Sequence, residues 1–489
     1  MAGLSDLPDE LTLQIAHHLK SLGSQGDLSH LCQASKSLRR VASEVLYESP
    51  SVESYEPFHL EFPSLSLGLL NHPELARKVQ HLNFSINCTA QPSNLNHDAK
   101  CFLKTQESLT PQGSYRAECN CSLMEFEKFK KSACEYLASL GLPGELDVFN
   151  PYKIQGFLDD YVCLILTLVS NLEILRIRYN VWICTVTHTS SILGLLGRTL
   201  GLQLVPGFQN LKRLEVPLQH WENELLALGT LESLTLNCQD AWTAGGHHEG
   251  WYSFAMAEVS DDHPLISSVK NLQFILPDEL AVEWFFERCD DLPEFFTCFP
   301  RCRRLRLTGP HKMALAHRSM PPESSMIDCQ DIWQVLLPLA STLQVFVLDL
   351  GEFIDIAPIL FVHDFDPSEG LYTFKQLRHI AIPATEPEAM FPPQSLETME
   401  LSFPDIWAED SWIEWFVEDA FELFKELRYL RFYRNDPKRT VHVPAEQCCD
   451  ECNERLEYLN KISGRGVEYE FFIEGEAPKG SCKTLEYWA

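Results

Sequence analysis

The chain has 489 residues, with 69 Asp and Glu against 39 Lys and Arg, a formal net charge of −30. Such an acidic balance argues against a nucleic-acid backbone or an anionic membrane surface as partner, since both require a basic face. With 45% apolar and 11% aromatic residues the chain is too apolar for disorder, and its length suits about three globular units or one long repeat array.

The longest uninterrupted apolar stretch, near residues 162–169, is far shorter than the ~20 residues of a membrane helix. The first residues include Asp6, Asp9 and Glu10 and no apolar run, so no secretory signal is expected there. Seventeen cysteines, an odd number scattered along a long chain, read as reduced thiols rather than a disulfide framework. These features together predict an intracellular protein of the cytoplasm, the nucleus or both.

In chain order, residues 4–47 come first. Leu7, Leu11, Ile15 and Leu19 recur every four residues, which predicts one apolar face of a helix. Pro8 suits its first turn, and Asp9 and Glu10 suit the positive end of its dipole. Gly23 and Gly26 should break it, and Asp27 can cap a second helix carrying Leu28 and Leu31. Ser35 or Ser37 can cap a third, with Leu38, Val41, Ala42, Val45 and Leu46 on one side. Three helices in so few residues cannot hide all these side chains among themselves, so part of the stripe must face the rest of the chain or another protein.

The order Leu7-Pro8-x-Glu10-Leu11-x-x-x-Ile15, then Asp27-Leu28-x-x-Leu31-Cys32, then Leu38-Arg39-x-x-Ala42, closing with Leu46-Tyr47, resembles an F-box. The polar, glycine-bearing stretch 20–26 is longer than the usual link in that family. The resemblance covers about a tenth of the chain. It implies a three-helix module over residues 1–50 that docks on the Skp-type adaptor of a cullin–RING ubiquitin ligase. Leu7, Pro8, Leu11, Ile15, Leu28 and Leu31 would form that interface.

After residue 75 one pattern, apolar-x-x-apolar-x-apolar, recurs ten times. It appears as Val79/Leu82/Phe84, Leu172/Leu175/Ile177, Leu211/Leu214/Val216, Leu231/Leu234/Leu236 and Val269/Leu272/Phe274. It continues as Cys302/Leu305/Leu307, Leu343/Phe346/Leu348, Leu377/Ile380/Ile382, Leu396/Met399/Leu401 and Leu427/Leu430/Phe432. The last two residues of each, spaced by two, predict a strand with one buried face, and the first predicts the turn entering it. Helical spacing lies between, at Phe157/Tyr161/Leu164/Ile165/Leu168, at Ile332/Val335/Leu336/Leu339 and at Trp412/Trp415/Phe416/Ala420/Leu423.

Strand plus helix, repeated, predicts an α/β chain: an irregular leucine-rich-repeat-like solenoid over residues 151–489. Buried parallel strands of an ordinary α/β domain give a similar loose pattern. Residues 51–150 read as a linker, the first repeat strand and a polar insertion, with a helix around 123–140.

No phosphate loop, Gly-x-Ser-x-Gly elbow or His-Glu-x-x-His helix is present. Cys448, Cys449 and Cys452 with His442 lie near one another, but zinc sites generally use two separated ligand pairs. Neither that group, nor Cys119/Cys121, nor the His247/His248 loop is read as a metal site, and no cofactor is expected.

The leading expectation is therefore a substrate-recognition subunit of an SCF-type ubiquitin ligase, not itself an enzyme, with an unidentified protein target. The alternatives are an F-box scaffold acting outside ubiquitination, or an enzyme whose N-terminal likeness is accidental. Strand residues flanking the buried pairs should line the concave face of such an array. Arg176, Arg178, Arg304, Arg306, Tyr429, Arg431 and Tyr433 are the candidate target contacts. The arginines suggest local positive stretches suited to an acidic or phosphorylated segment, unless they pair with acids of neighbouring strands such as Glu215.

Overall fold

The computed structural model describes residues 7–22, 25–55, 61–87, 123–140, 157–180, 201–218, 223–238, 266–276, 292–309, 329–349, 370–383, 393–403, 412–434 and 450–473. The chain is mixed α/β and divides into two compact units. One comprises Met1–Glu232 with Asp240–Gly250, the other Ser233–Gln239 with Trp251–Ala489.

The first unit opens with three helices, α1 (Asp9–Ser21), α2 (Gln25–Ala34) and α3 (Lys36–Glu48). Pro8 stands at the N-cap of α1 and its carbonyl accepts the N–H groups of Leu11 and Thr12 at 3.1 Å. Ser35 caps α3, its side chain accepting from the Leu38 N–H at 3.2 Å. The glycine and Asp27 behave otherwise than the sequence suggests. Helix α2 starts at Gln25, so Gly26 lies inside its first turn and Asp27 acts on the helix dipole rather than as the cap. Ala16, Leu28, Cys32, Ala42 and Val45 form the core of the three helices, with Leu13, Leu19, Leu31 and Leu46 packed around it.

Only Ser49 and Pro50 separate α3 from the first strand, β1 (Ser51–Tyr55). There follow α4 (Glu61–Asn71), α5 (Pro73–Ala76), β2 (His81–Asn87), α6 (Leu123–Ser139), α7 (Phe157–Leu168), β3 (Ile174–Asn180) and β4 (Arg213–Pro217). Strands β1 to β4 lie in chain order, each parallel to the next. A tight 3₁₀ turn, Pro206–Phe208, packs on α7. Gly207 permits it, because a Cβ there would sit 2.7 Å from the Leu166 carbonyl oxygen.

The second unit carries β5 (Ser233–Asn237), β6 (Asn271–Ile275), β7 (Arg304–Thr308), β8 (Val345–Asp349), β9 (His379–Pro383), β10 (Thr398–Phe403), β11 (Tyr429–Arg434) and β12 (Glu468–Ile473). They too are parallel and in chain order. Helices α8 (Leu292–Thr297), α9 (Cys329–Leu336) and α10 (Asp450–Gly464), with short 3₁₀ turns, connect them. Phe295 and Phe296 pack with Phe274, Phe299 packs on Phe295, and Trp333 packs on Phe346 and Phe374, their ring centroids 4.9–6.3 Å apart.

Every recurrence of the apolar pattern marks a strand, and within each unit the recurrences stand in register. Its two strand residues are buried, and so is the turn residue before them. β1 and β12 escape the pattern, because by register Pro50 stands where the first strand residue of β1 would be apolar and Gly466 where the turn residue of β12 would be.

The turns repeat in their backbone as well. The carbonyl of Gln80 accepts both the Glu173 and Ile174 N–H groups. The carbonyls of Glu173, Lys270, Arg303, Gln344, Arg378 and Glu397 each accept the equivalent pair, at 2.7–3.1 Å throughout. One turn after another thus satisfies its own polar groups on the preceding one.

Candidate functional site

Helix α1 has two dissimilar sides. Thr12 and Ala16 are buried, and Leu13 and Leu19 pack on the core. Leu7 is 36% exposed and Leu11 46%, with Ile15 half-buried beside them. Together with Gln14, His18 and Leu19 they line an open groove of about 370 Å³. Residues 11, 14, 15 and 18 share a face because three or four residues complete a helical turn. The four-residue spacing alone did not reveal Gln14 and His18, which the i, i+3, i+4, i+7 rule would have included.

The remaining interface candidates are placed elsewhere. Pro8 is exposed at the helix start. Leu31 is half-buried against the helical core, and Leu28, 1% exposed, is inside it. Leu28 packs with Ala16 of α1 and Ala42 and Val45 of α3.

The strand face opposite the buried apolar pairs carries the candidate target contacts. In the first unit Arg178 forks onto Glu215, with its Nη2 donating to Oε2 at 3.0 Å, and Arg176 Nε lies 3.5 Å from the same carboxylate. The carboxylate holds the Arg178 guanidinium above its ordinary pKa, through their hydrogen bond first and against the cost of burial. In the second unit Arg306 pairs with Asp349 at 2.9 Å. Arg431 donates to Glu400 at 2.7 Å, and His379 Nε2 is 3.8 Å from the same carboxylate. Tyr429 is 42% exposed, and Tyr433 stands opposite Ser402 in the register of β10 and β11.

The expectation of positive stretches at Arg176/Arg178 and Arg304/Arg306 is therefore corrected. Strand registry sets a carboxylate one strand away from Arg176, Arg178 and Arg306, and opposite charges close together pair. Arg304 alone among these four has no ion-pair partner among the described residues.

Nothing in the described cysteines suggests nucleophilic chemistry. Burial pushes the Cys302 thiol up to about 12 and also raises Cys298, which disfavours the reactive thiolate. His442, Cys448 and Cys449, with Cys119/Cys121 and the His247/His248 loop, fall outside the described residues. Among the described residues no group of three or more His, Cys, Asp or Glu side chains is placed to hold a metal ion. Nor is any described helix long and apolar enough to cross a membrane. In comparison with known proteins, the chain matches no family model and no curated protein.

Proposed function

We propose that the chain is a substrate-recognition subunit of an SCF-type ubiquitin ligase. The observation that carries this reading is the apolar groove on α1, bordered by Leu7, Leu11 and Ile15, on a helical module whose own core is already filled. Apolar side chains left at the rim of a satisfied core mark a docking surface. The ordered F-box-like residues of the same segment indicate a Skp-type adaptor, and through it a cullin–RING ligase, as the occupant.

The strand units would hold the target. Their parallel strands in strict chain order and their repeated turns support a leucine-rich-repeat-like solenoid. Such a subunit performs no bond chemistry. It raises the effective concentration of target lysines near the ubiquitin-loaded enzyme. No metal, cofactor, nucleic acid or membrane enters this role, which belongs in the cytoplasm or nucleus.

Replacing Leu11 and Ile15 by Asp tests the reading. A charge driven into an apolar contact costs several kcal/mol, roughly, so adaptor pull-down should be lost while the far-ultraviolet spectrum and melting curve persist. Unchanged capture of the adaptor by the folded double variant would refute the assignment. Adaptor capture without ubiquitination of any bound partner would indicate a scaffold instead.

A further inference from the structure

Two rows of side chains cross the strand face of the second unit that lies opposite the buried apolar pairs. One row runs Gln273, Arg306, Val347, Ala381, Glu400, Arg431. Its charges are satisfied internally, Arg306 by Asp349 and Arg431 by Glu400. The neighbouring row includes Arg304, Val345, His379, Thr398, Tyr429 and, beyond Tyr429, the exposed Glu468. Two of its side chains stand out, the exposed Arg304, which has no ion-pair partner among the described residues, and the 42% exposed Tyr429. Between them Val345, His379 and Thr398 are half-buried. Burial lowers the His379 pKa, against the pull of Glu400 and with help from Arg431, so the middle of the row is uncharged at neutral pH.

We propose that this row is a binding track for one extended segment of a partner protein, which places a carboxylate on Arg304 and a large apolar side chain on Tyr429. Charge complementarity fixes the acidic end: an exposed arginine with no ion-pair partner among the described residues, on a face where Arg306 and Arg431 are already paired, accepts a carboxylate. The apolar end follows from Tyr429, a rigid amphipathic ring of the kind that anchors interfaces. Arg304 on β7 and Tyr429 on β11 are four strand spacings apart, about 19 Å. An extended chain covers that distance in about six residues. The inference deepens the reading of the chain as a recognition subunit and concerns residues remote in sequence from the α1 groove.

The test selects a phage-displayed library of random 12-residue peptides on the full-length protein. Enriched peptides should carry Asp or Glu about six positions from an aromatic or large aliphatic residue. Synthetic copies, measured by fluorescence polarisation, should lose about tenfold affinity on Arg304→Glu and several-fold on Tyr429→Ala, with Tyr429→Phe largely retaining it. Arg301→Glu, an equal charge change at an exposed turn, should leave binding unaltered. If Arg304→Glu melts early, Arg304→Gln replaces it and should weaken binding in the same direction. Selection of peptides without the acid–apolar spacing, or equal losses from Arg304→Glu and Arg301→Glu, would overturn the track. Adaptor pull-down by the Arg304 and Tyr429 variants should match wild type, which separates failure here from failure of the ligase reading.

Discussion

On α1 part of the outward surface, Leu7, Leu11 and Ile15, is apolar and borders an open groove, whereas on the strands many outward side chains are polar and several of the charged ones pair across to a neighbour. The recurring apolar pairs of the strands, by contrast, are covered. Surplus apolar surface on a helix with a filled core is available to a partner. Paired charges on a sheet already have their partners, whereas Arg304, which has none among the described residues, is available in the same sense.

This contrast can be broken most directly by trimming one side chain of each kind. Phe299 is fully buried among Phe295 and other core residues, so Phe299→Ala should cost about 3–5 kcal/mol. Leu11→Ala removes a side chain that is half in solvent and should cost less than about 0.5 kcal/mol. Urea unfolding of both variants provides the comparison. Similar midpoint shifts would mean that α1 is packed as tightly as the strands and that its groove is no docking surface.

A smaller effect sharpens the description of the strand units. At Gly207 the turn before β4 approaches the Leu166 carbonyl so closely that a methyl group fits only by displacing backbone. Gly207→Ala should therefore cost about 1–3 kcal/mol, visible as a lowered melting temperature. A neutral substitution would show that the cover over the first-unit strands is looser than the distances imply.

Much of this was legible in the sequence because the strand units bury side chains at fixed spacing. The pattern Leu211/Leu214/Val216 and its relatives located strands β2 to β11, since a buried pair two residues apart suits only one face of a strand. A longer signal went unread. Phe208, Phe299, Phe374 and Phe424 each stand three residues before the turn residue of a repeat, and the carbonyl of each accepts that residue's N–H.

The ends were harder to read, because β1 and β12 each have a neighbour on one side only among the described strands, and Pro50 and Gly466 break the apolar spacing that the inner strands keep. Charge pairing was harder still. That Glu215 lies between Arg176 and Arg178 depends on which residues registry sets side by side, and periodicity within one strand carries no information about registry. On α1 the apolar row was visible, but the split between groove and core was not. Leu28 and Leu11 look alike in sequence, and only the packing of three helices separates them.

The smallest expected effect lies at the seam within the first unit, where the α1–α3 module meets β2. His81 begins β2, with its Nδ1 3.0 Å from the Ser49 hydroxyl. Nearby, Lys20 on α1 bridges to Glu48 on α3 at 2.9 Å. Burial lowers the His81 pKa first, Lys20 and the more distant Arg176 lower it further, and Glu48 and Glu173 oppose them. The folded protein therefore holds His81 neutral, while the unfolded chain takes up its proton near pH 6.5. As pH falls below that value the unfolded state binds the extra proton first, so stability declines until the folded-state pKa is passed and then stays level. Above about pH 6.5 the contribution is fully present. Melting temperatures between pH 7.5 and 5 should fall less steeply in His81→Asn than in wild type. A nuclear magnetic resonance titration should move the His81 pKa upward in Lys20→Gln, because a facing positive charge has gone. An unchanged His81 pKa in that variant would place Lys20 farther from β2 than the Ser49–His81 contact and the Lys20–Glu48 bridge together imply. The seam would then fail to hold the groove and the strands in a fixed relation within this unit.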